Sequence, residues 1–445
     1  MTLYLLLTEL SMVTIFIPET NSRIEYSFNL ILHDILKLDF KFENSLEAFK
    51  NVSGAKINYH TELVEGAMNF VPSGLLSESD INDLDIQHVE YNGIQCPFKV
   101  EEGGLLPFDL FSAAFYLVTR YEEYGGDKVD RLGRFRADKS LAFKNRFLEK
   151  PVVNVWAMEL AKLLASNFPD LKIPEREFHF ISTIDIDNAF AYLEKGLLRT
   201  LGGFARSILY LDFYRFFERI SVLIRAKKDP YDTFDYIVET TNKYKVEFKS
   251  FFLLGDYGPQ DKNVPHTSKL LQDGLRKLQD MGEVGIHPSV GSSKSGVGLE
   301  NEKSRLESIL GNPSEISRQH YLMMSFPETY RRLIEVGIKA DYSMGYSTHV
   351  GYRASICTPF IFFDLSSNNV SELRVHPFAV MDVTLKNGLN QVPVQAIKTI
   401  ANLVKEVKSV RGTFIGVWHN ESLSENLEWS GWRDVYESML EPTSI

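Results

Sequence analysis

The chain has 445 residues, 44% of them hydrophobic and 24% charged, a composition that can bury a core and excludes a disordered polymer. Its 48 Lys and Arg face 59 Asp and Glu, a formal net charge of −11 that argues against duplex nucleic acid as a partner. Cys96 and Cys357, the two cysteines, supply neither a disulfide framework nor a Cys-rich zinc site.

Residues 2–17 (TLYLLLTELSMVTIFI) are apolar, but no Lys or Arg precedes them and Glu9 interrupts them. No small-residue cleavage site follows either, so 1–17 reads as a buried strand and loop, and the protein as cytoplasmic. Residues 24–36 (IEYSFNLILHDIL) alternate and then run apolar, as a buried strand or a strand–helix pair would. The stretch around 104–125 has helical spacing and closes on a Gly pair. It reads as a core helix, with Glu122 and Glu123 at a solvated end. A second helix, about 150–167, opens with Pro151 and lines Val153, Trp156, Leu160 and Leu164 on one face. The polar, Pro-punctuated SNFPDLKIPERE then marks a boundary near 166–177, dividing an N-terminal α/β domain (1–170) from a second one (175–445).

Beyond it, strand candidates at 178–184, 247–254, 283–287, 372–380 and 412–418 alternate with helical patterns at about 266–281, 298–310, 325–337 and 393–409. That alternation signals a parallel α/β sheet or barrel, whose chemistry gathers at the C-terminal ends of the strands. An insert at 190–245, rich in aromatic and basic residues, reads as a helical hairpin with a solvated basic face. A sharper reading makes it an arm for an anionic substrate at a membrane surface.

Polar residues just past the strand candidates are the informative ones. Asp185 and Asp187 project to one side of a strand end, where two carboxylates repel unless a cation or an Arg lies between them. A helix N-cap with one surface Asp is the plainer alternative. His287, at a strand terminus before Pro288, suits a metal ligand or a satisfied structural histidine. Ser317-Arg318-Gln319-His320-Tyr321 and Val417-Trp418-His419-Asn420 supply further polar ends. Together they describe a mononuclear metal site with an acid and a base. Asp256 after the second strand reads as part of a turn. Tyr346 through Arg353 reads as a packed loop or a sugar-stacking one, and Trp418 as core.

The order TIDID, GEVGIHPS, SRQHY, VWHN resembles the polysaccharide deacetylase (NodB-homology) family over roughly 175–425. The N-terminal PFDLFSAAFYLVTRYEEY and DRLGRF resemble the extra domain of a bacterial subgroup. The resemblance implies a distorted (β/α) barrel preceded by a smaller α/β domain. It implies a metal-dependent hydrolase that removes N-acetyl or similar acyl groups from an amino sugar or glycan precursor. Asp185 matches the family's base and Asp187 its metal-binding Asp, although here the pair is D-I-D. His287 matches the first metal His, Arg318 the Arg that orients the base, Tyr321 the residue whose backbone N–H holds the oxyanion, and His419 the acid. The second metal His is expected at position 291, which is Gly. His320 is the first candidate to replace it, with His349 and His376 behind. A His/Asp ligand set without thiolates suits Zn2+ best among divalent transition metals. The alternatives are an inactive barrel serving as a glycan-binding or scaffold module, and a hydrolase of amides outside carbohydrates.

Overall fold

The structure, a computed structural model, describes residues 12–441 apart from 102 and 127. Of the strand and loop expected over 1–17, residues 1–11 lie outside the described residues, and Met12–Phe16 forms the buried strand β1. With β2 (Asp39–Glu43), β3 (Ala55–Tyr59) and β4 (Met68–Phe70) it makes a parallel sheet in the order β2-β1-β3-β4.

Residues 24–36 are helical rather than extended. A helix at Ser22–Phe28 passes directly into a π-helical segment at Asn29–Ile35. Ile24, Phe28, Ile31, Leu32 and Ile35 recur at helical spacing and are all buried, and Asn21 caps the start by accepting the Ile24 N–H at 3.0 Å. Phe28 stacks on Phe111 at 3.9 Å between ring centres. The core helix of the 104–125 stretch is confined to Leu110–Val118, every residue buried, behind an Asp109 cap that takes the Phe111 and Ser112 N–H groups. A two-residue Asn92-Gly93 turn, both at positive φ, closes the hairpin of β5 (His88–Tyr91) and β6 (Ile94–Pro97).

The expected solvated end at Glu122 and Glu123 is overturned, since both side chains are buried. Arg120 donates to Glu122 at 2.9 Å and to Glu123 at 2.7 Å, and Arg353 donates to Glu123 at 2.9 Å from the far side. A buried carboxylate persists only when paired in this way, and the second guanidinium comes from 230 residues downstream, beyond the reach of a local pattern.

The second sheet is built from β7 (His179–Ile186), β8 (Glu247–Phe252), β9 (Glu283–Ile286), β10 (Ile316–Ser317), β11 (Ala340–Asp341), β12 (Phe360–Asp364), β13 (Asn369–Val375), β14 (Val380–Met381) and β15 (Thr413–His419). Its order is β12-β13-β11-β10-β9-β8-β7-β15-β14. Every pairing is parallel except β12 with β13. The ladder therefore has two ends. Helices at Lys269–Gln279, Gly296–Leu310, Glu328–Glu335 and Pro393–Ser409 join the strands near the expected positions. The strand expected at 372–380 is split into β13 and β14.

The insert holds helices at Gly196–Leu209, Phe213–Leu223 and Phe234–Tyr244. Its solvated face is not simply basic, because Leu198, Leu209 and Phe217 are 86%, 77% and 63% exposed. Among the described residues no helix is long and apolar enough to cross a membrane.

Candidate metal centre

Parallel pairing brings the C-terminal ends of β7, β9, β10 and β15 to one edge of the sheet. Asp185, one residue before the end of β7, is in register with His419, the last residue of β15. His287 and Arg318 follow the last residues of β9 and β10, and their N–H groups continue the ladder by donating to Phe252 and Ile286. Side chains scattered over 235 positions are thereby set around Asp187 on rigid backbone.

Asp187, His287 and His320 offer ligand atoms that all lie within 4.8 Å of one another. The tautomers follow from what each Nδ1 meets. The His287 Nδ1 lies 2.7 Å from the Arg318 carbonyl oxygen, which can only accept, so this nitrogen carries the proton. The His320 Nδ1 donates in the same way to Asp261, at 2.9 Å. Each Nε2 therefore faces inward, 3.1 and 3.3 Å from the two oxygens of Asp187. His419 repeats the pattern: its Nδ1 donates to Asp382 at 2.8 Å and its Nε2 stands 3.7 Å from Asp187. Asp382 also accepts the His419 N–H and the Ser422 hydroxyl.

Neutral imidazoles at His287 and His320 so oriented point acceptor lone pairs at a carboxylate, which repels them unless a proton or a cation lies between. Among the described residues the buried Asp187 Oδ1 has no well-directed hydrogen bond despite the nearby His287 nitrogen. With protons alone, burial would raise the Asp187 pKa, but His320 and His287 hold it well below the usual carboxylate range. Burial likewise lowers His320, and Asp187 and Asp261 outweigh it, taking the imidazole up to about 9. Two imidazoles braced by oxygen acceptors and one orphaned carboxylate oxygen fit a divalent cation. His349, set against Phe143, and His376, stacked on Tyr342, stand outside this group.

Arg318 is fully buried and donates to Asp185 at 2.9 Å, to Thr183 at 2.8 Å and to the Tyr342 carbonyl at 3.0 Å. Among the described residues its Nη2 finds no hydrogen-bond acceptor, but the guanidinium sits 4.6 Å over the Phe251 ring. Tyr321 and Leu322 both adopt left-handed backbone, at φ 56° and 54°, a strain that turns the chain sharply beside His320. Arg134 of the N-terminal half holds that turn by donating to the Tyr321 carbonyl at 2.9 Å. A cavity of about 370 Å³ opens beside Leu322, between residues 130–138 and 345–349.

Sequence reasoning missed Asp261, Asp382 and Arg134. Asp382 follows the apolar Val380-Met381 and was open to the same strand-end reading as Asp185, whereas Asp261 sits in an irregular loop without periodicity. Asp256 is an exposed turn residue paired with Arg305, and Tyr346, Tyr352 and Arg353 are buried, so that loop is packed. Trp418 is fully buried core.

With the site assembled, the chain can be set beside known proteins. Among the solved structures it resembles are polysaccharide deacetylases and a related pseudoenzyme. One, provisionally assigned as such, from Mycobacterium smegmatis, is 13% identical at TM-score 0.39, over 61% of this chain and 86% of that one. The polysaccharide deacetylase of Bacillus cereus is 11% identical at TM-score 0.30, over 61% and 88%. A CE4 family pseudoenzyme from Bacillus anthracis is 10% identical at TM-score 0.29, over 60% of this chain and 62% of that one. Residues 13–169 match the model of DUF7033, a family of unknown function. No curated protein matches the sequence.

Proposed function

We propose that this chain is a metal-dependent hydrolase that removes N-acetyl or similar acyl groups from an amino sugar or glycan precursor. In this reading 175–445 forms a deacetylase-type (β/α) unit whose strand ladder, among the described residues, stays open between β12 and β14 rather than closing as the expected barrel, and 1–170 a smaller N-terminal domain. The observation that carries the reading is the convergence of three inward imidazoles on the Asp187 carboxylate, beside a separate Asp185–Arg318 pair.

Asp187, His287 and His320 would hold the cation, with Zn2+ suited to this donor set. Such an ion supplies Lewis-acid polarisation of an acyl carbonyl and lowers the pKa of water. Asp185, charge-paired with Arg318, takes a proton from the attacking water as the new C–O bond forms. His419 delivers a proton to the departing amine nitrogen as the C–N bond breaks. Burial lowers its pKa, but Asp382 at 2.8 Å outweighs this and raises it well above the ordinary histidine value, so the imidazole arrives protonated. The Tyr321 backbone N–H is assigned to the oxyanion, on the turn that Arg134 steadies. The cavity beside Leu322 is of a size for a sugar ring.

The test pairs elemental analysis with acetate release from N-acetylated sugars. The wild type should hold one transition metal and release acetate. Asp185→Asn should keep the metal without turnover, and His287→Ala should lose both. No metal in the wild type after reconstitution, or equal residual activity in the two variants, would overturn the assignment and favour a glycan-binding module.

A further inference from the structure

The helical arm between Asn188 and Asp229 is built inside out. An amphipathic helix normally turns its apolar stripe to the protein. On the helix Gly196–Leu209 the stripe of Leu197, Leu198, Leu201, Ile208 and Leu209 faces solvent, while Gly203 and the buried Ser207 face Arg219 of the next helix. The helix Phe213–Leu223 continues the pattern with Phe213 and Phe217 exposed, and Ile224 just beyond its end extends the stripe. Tyr210 and Leu211 at the tip between the helices are each 71% exposed. Half of the large apolar side chains exposed among the described residues lie between 197 and 224. Scattered apolar residues are ordinary on a surface, but a contiguous patch marks a contact.

The charge of the arm selects the partner. Residues 194–228 carry eight Lys and Arg against three Asp and Glu, a net +5 in a chain of net −11. Arg206, Arg215, Arg225, Lys227 and Lys228 are exposed beside the apolar stripe. Of these, Arg206 and Arg225 have no carboxylate partner among the described residues. Bare leucine and phenylalanine flanked by cations match the interface of an anionic bilayer, where apolar side chains enter the acyl boundary and the cations stay among the headgroups. The neck is firm: the buried Asp229 accepts the N–H groups of Ala191, Tyr192 and Leu193 at 2.7–3.0 Å.

The geometry points to the α-helical hairpin 196–224 as an interfacial anchor that docks this protein on an anionic lipid surface. The arm's first helix begins nine residues after Asp187. The anchor does not depend on the hydrolase reading, and its test measures no activity.

The full chain is sedimented with vesicles of neutral phosphatidylcholine alone and of phosphatidylcholine with phosphatidylglycerol. Co-sedimentation with the anionic vesicles and little with the neutral ones is expected, weakening as salt rises. Arg206→Glu combined with Arg225→Glu should reduce the partition by about tenfold or more. Leu198→Ser with Phe217→Ser should abolish it while leaving the thermal transition in place. Wild-type protein that ignores anionic vesicles, or variants that bind as well as it does, would overturn the proposal. So would a dimer by light scattering that the Leu198→Ser pair dissolves without any vesicle binding, which would assign the face to a second copy of the chain.

Discussion

Asp261 is the most informative residue to change, because it reaches the centre through its hydrogen bond with His320. Its Oδ1 accepts the His320 Nδ1–H at 2.9 Å and the Val290 N–H at 3.0 Å. Asp261→Asn keeps an oxygen for both donors but removes the negative charge that makes the His320 Nε2 a stronger base. The expected loss of metal affinity is about tenfold, or about 1.4 kcal/mol. Asp261→Ala leaves two donors without an acceptor and frees the ring to turn, and its expected loss is about a hundredfold, or about 2.7 kcal/mol. Competition against a fluorescent zinc chelator at neutral pH reads both, with thermal unfolding of the chelated protein as the control for folding. His349→Ala should bind as the wild type does. Wild-type affinity in both Asp261 variants would refute the assignment of His320 as a ligand.

Four further outcomes can be checked. Asp382→Asn should leave metal content unchanged and lower turnover by about 10²–10⁴-fold, since it strips His419 of its anionic support; loss of metal instead would make His419 a ligand. Gly285→Ala should destabilise the protein by about 1–3 kcal/mol in urea unfolding, because a Cβ there would lie 2.7 Å from the Ile316 carbonyl oxygen and the Phe251 ring inside β9; an unchanged midpoint would contradict that packing. Burial pushes both thiols up to about 12, so Cys96 and Cys357 should resist alkylation in the native protein and react when it is unfolded; stoichiometric native labelling would refute this. His376 is pushed down to about 3 by burial, then by Lys249 and Arg374. The unfolded chain, with an ordinary histidine near 6.5, takes up the extra proton between those values. This residue's share of stability is therefore fully present above that range and is lost as pH falls through it, by up to about 1.4 kcal/mol per unit. His376→Gln should flatten the difference in Tm measured near pH 7 and near pH 5, and an undiminished difference would refute the reasoning.

The sequence made the strand ends legible because a parallel sheet writes each one as a short apolar run followed by a polar residue. Asp185, Asp187, His287 and His419 stand in that position, whereas Arg318 follows the two-residue β10 and reads from sequence only as part of a loop before a helix. Strands of two residues, such as β10, β11 and β14, write no periodicity, and Asp382 was lost with β14. The 24–36 stretch misled because Ile24, Tyr26 and Phe28 alternate locally, while burial of the longer series through Ile35 follows helical spacing. The buried pairing of Glu123 with Arg353, and of Asp187 with three histidines, depends on contacts 100–232 residues apart, which no window contains.

Arg134 and Glu123 both lie before residue 170, yet one grips the Tyr321 carbonyl and the other neutralises Arg353 inside the C-terminal half. A truncation beginning at 171 would expose Arg353 without its counter-ion and release the turn beside His320. The cost of leaving a buried guanidinium unpaired, several kcal/mol, is of the same order as the net stability of a domain. The C-terminal half thus borrows from the N-terminal half both a counter-ion for its core and a clamp on its site.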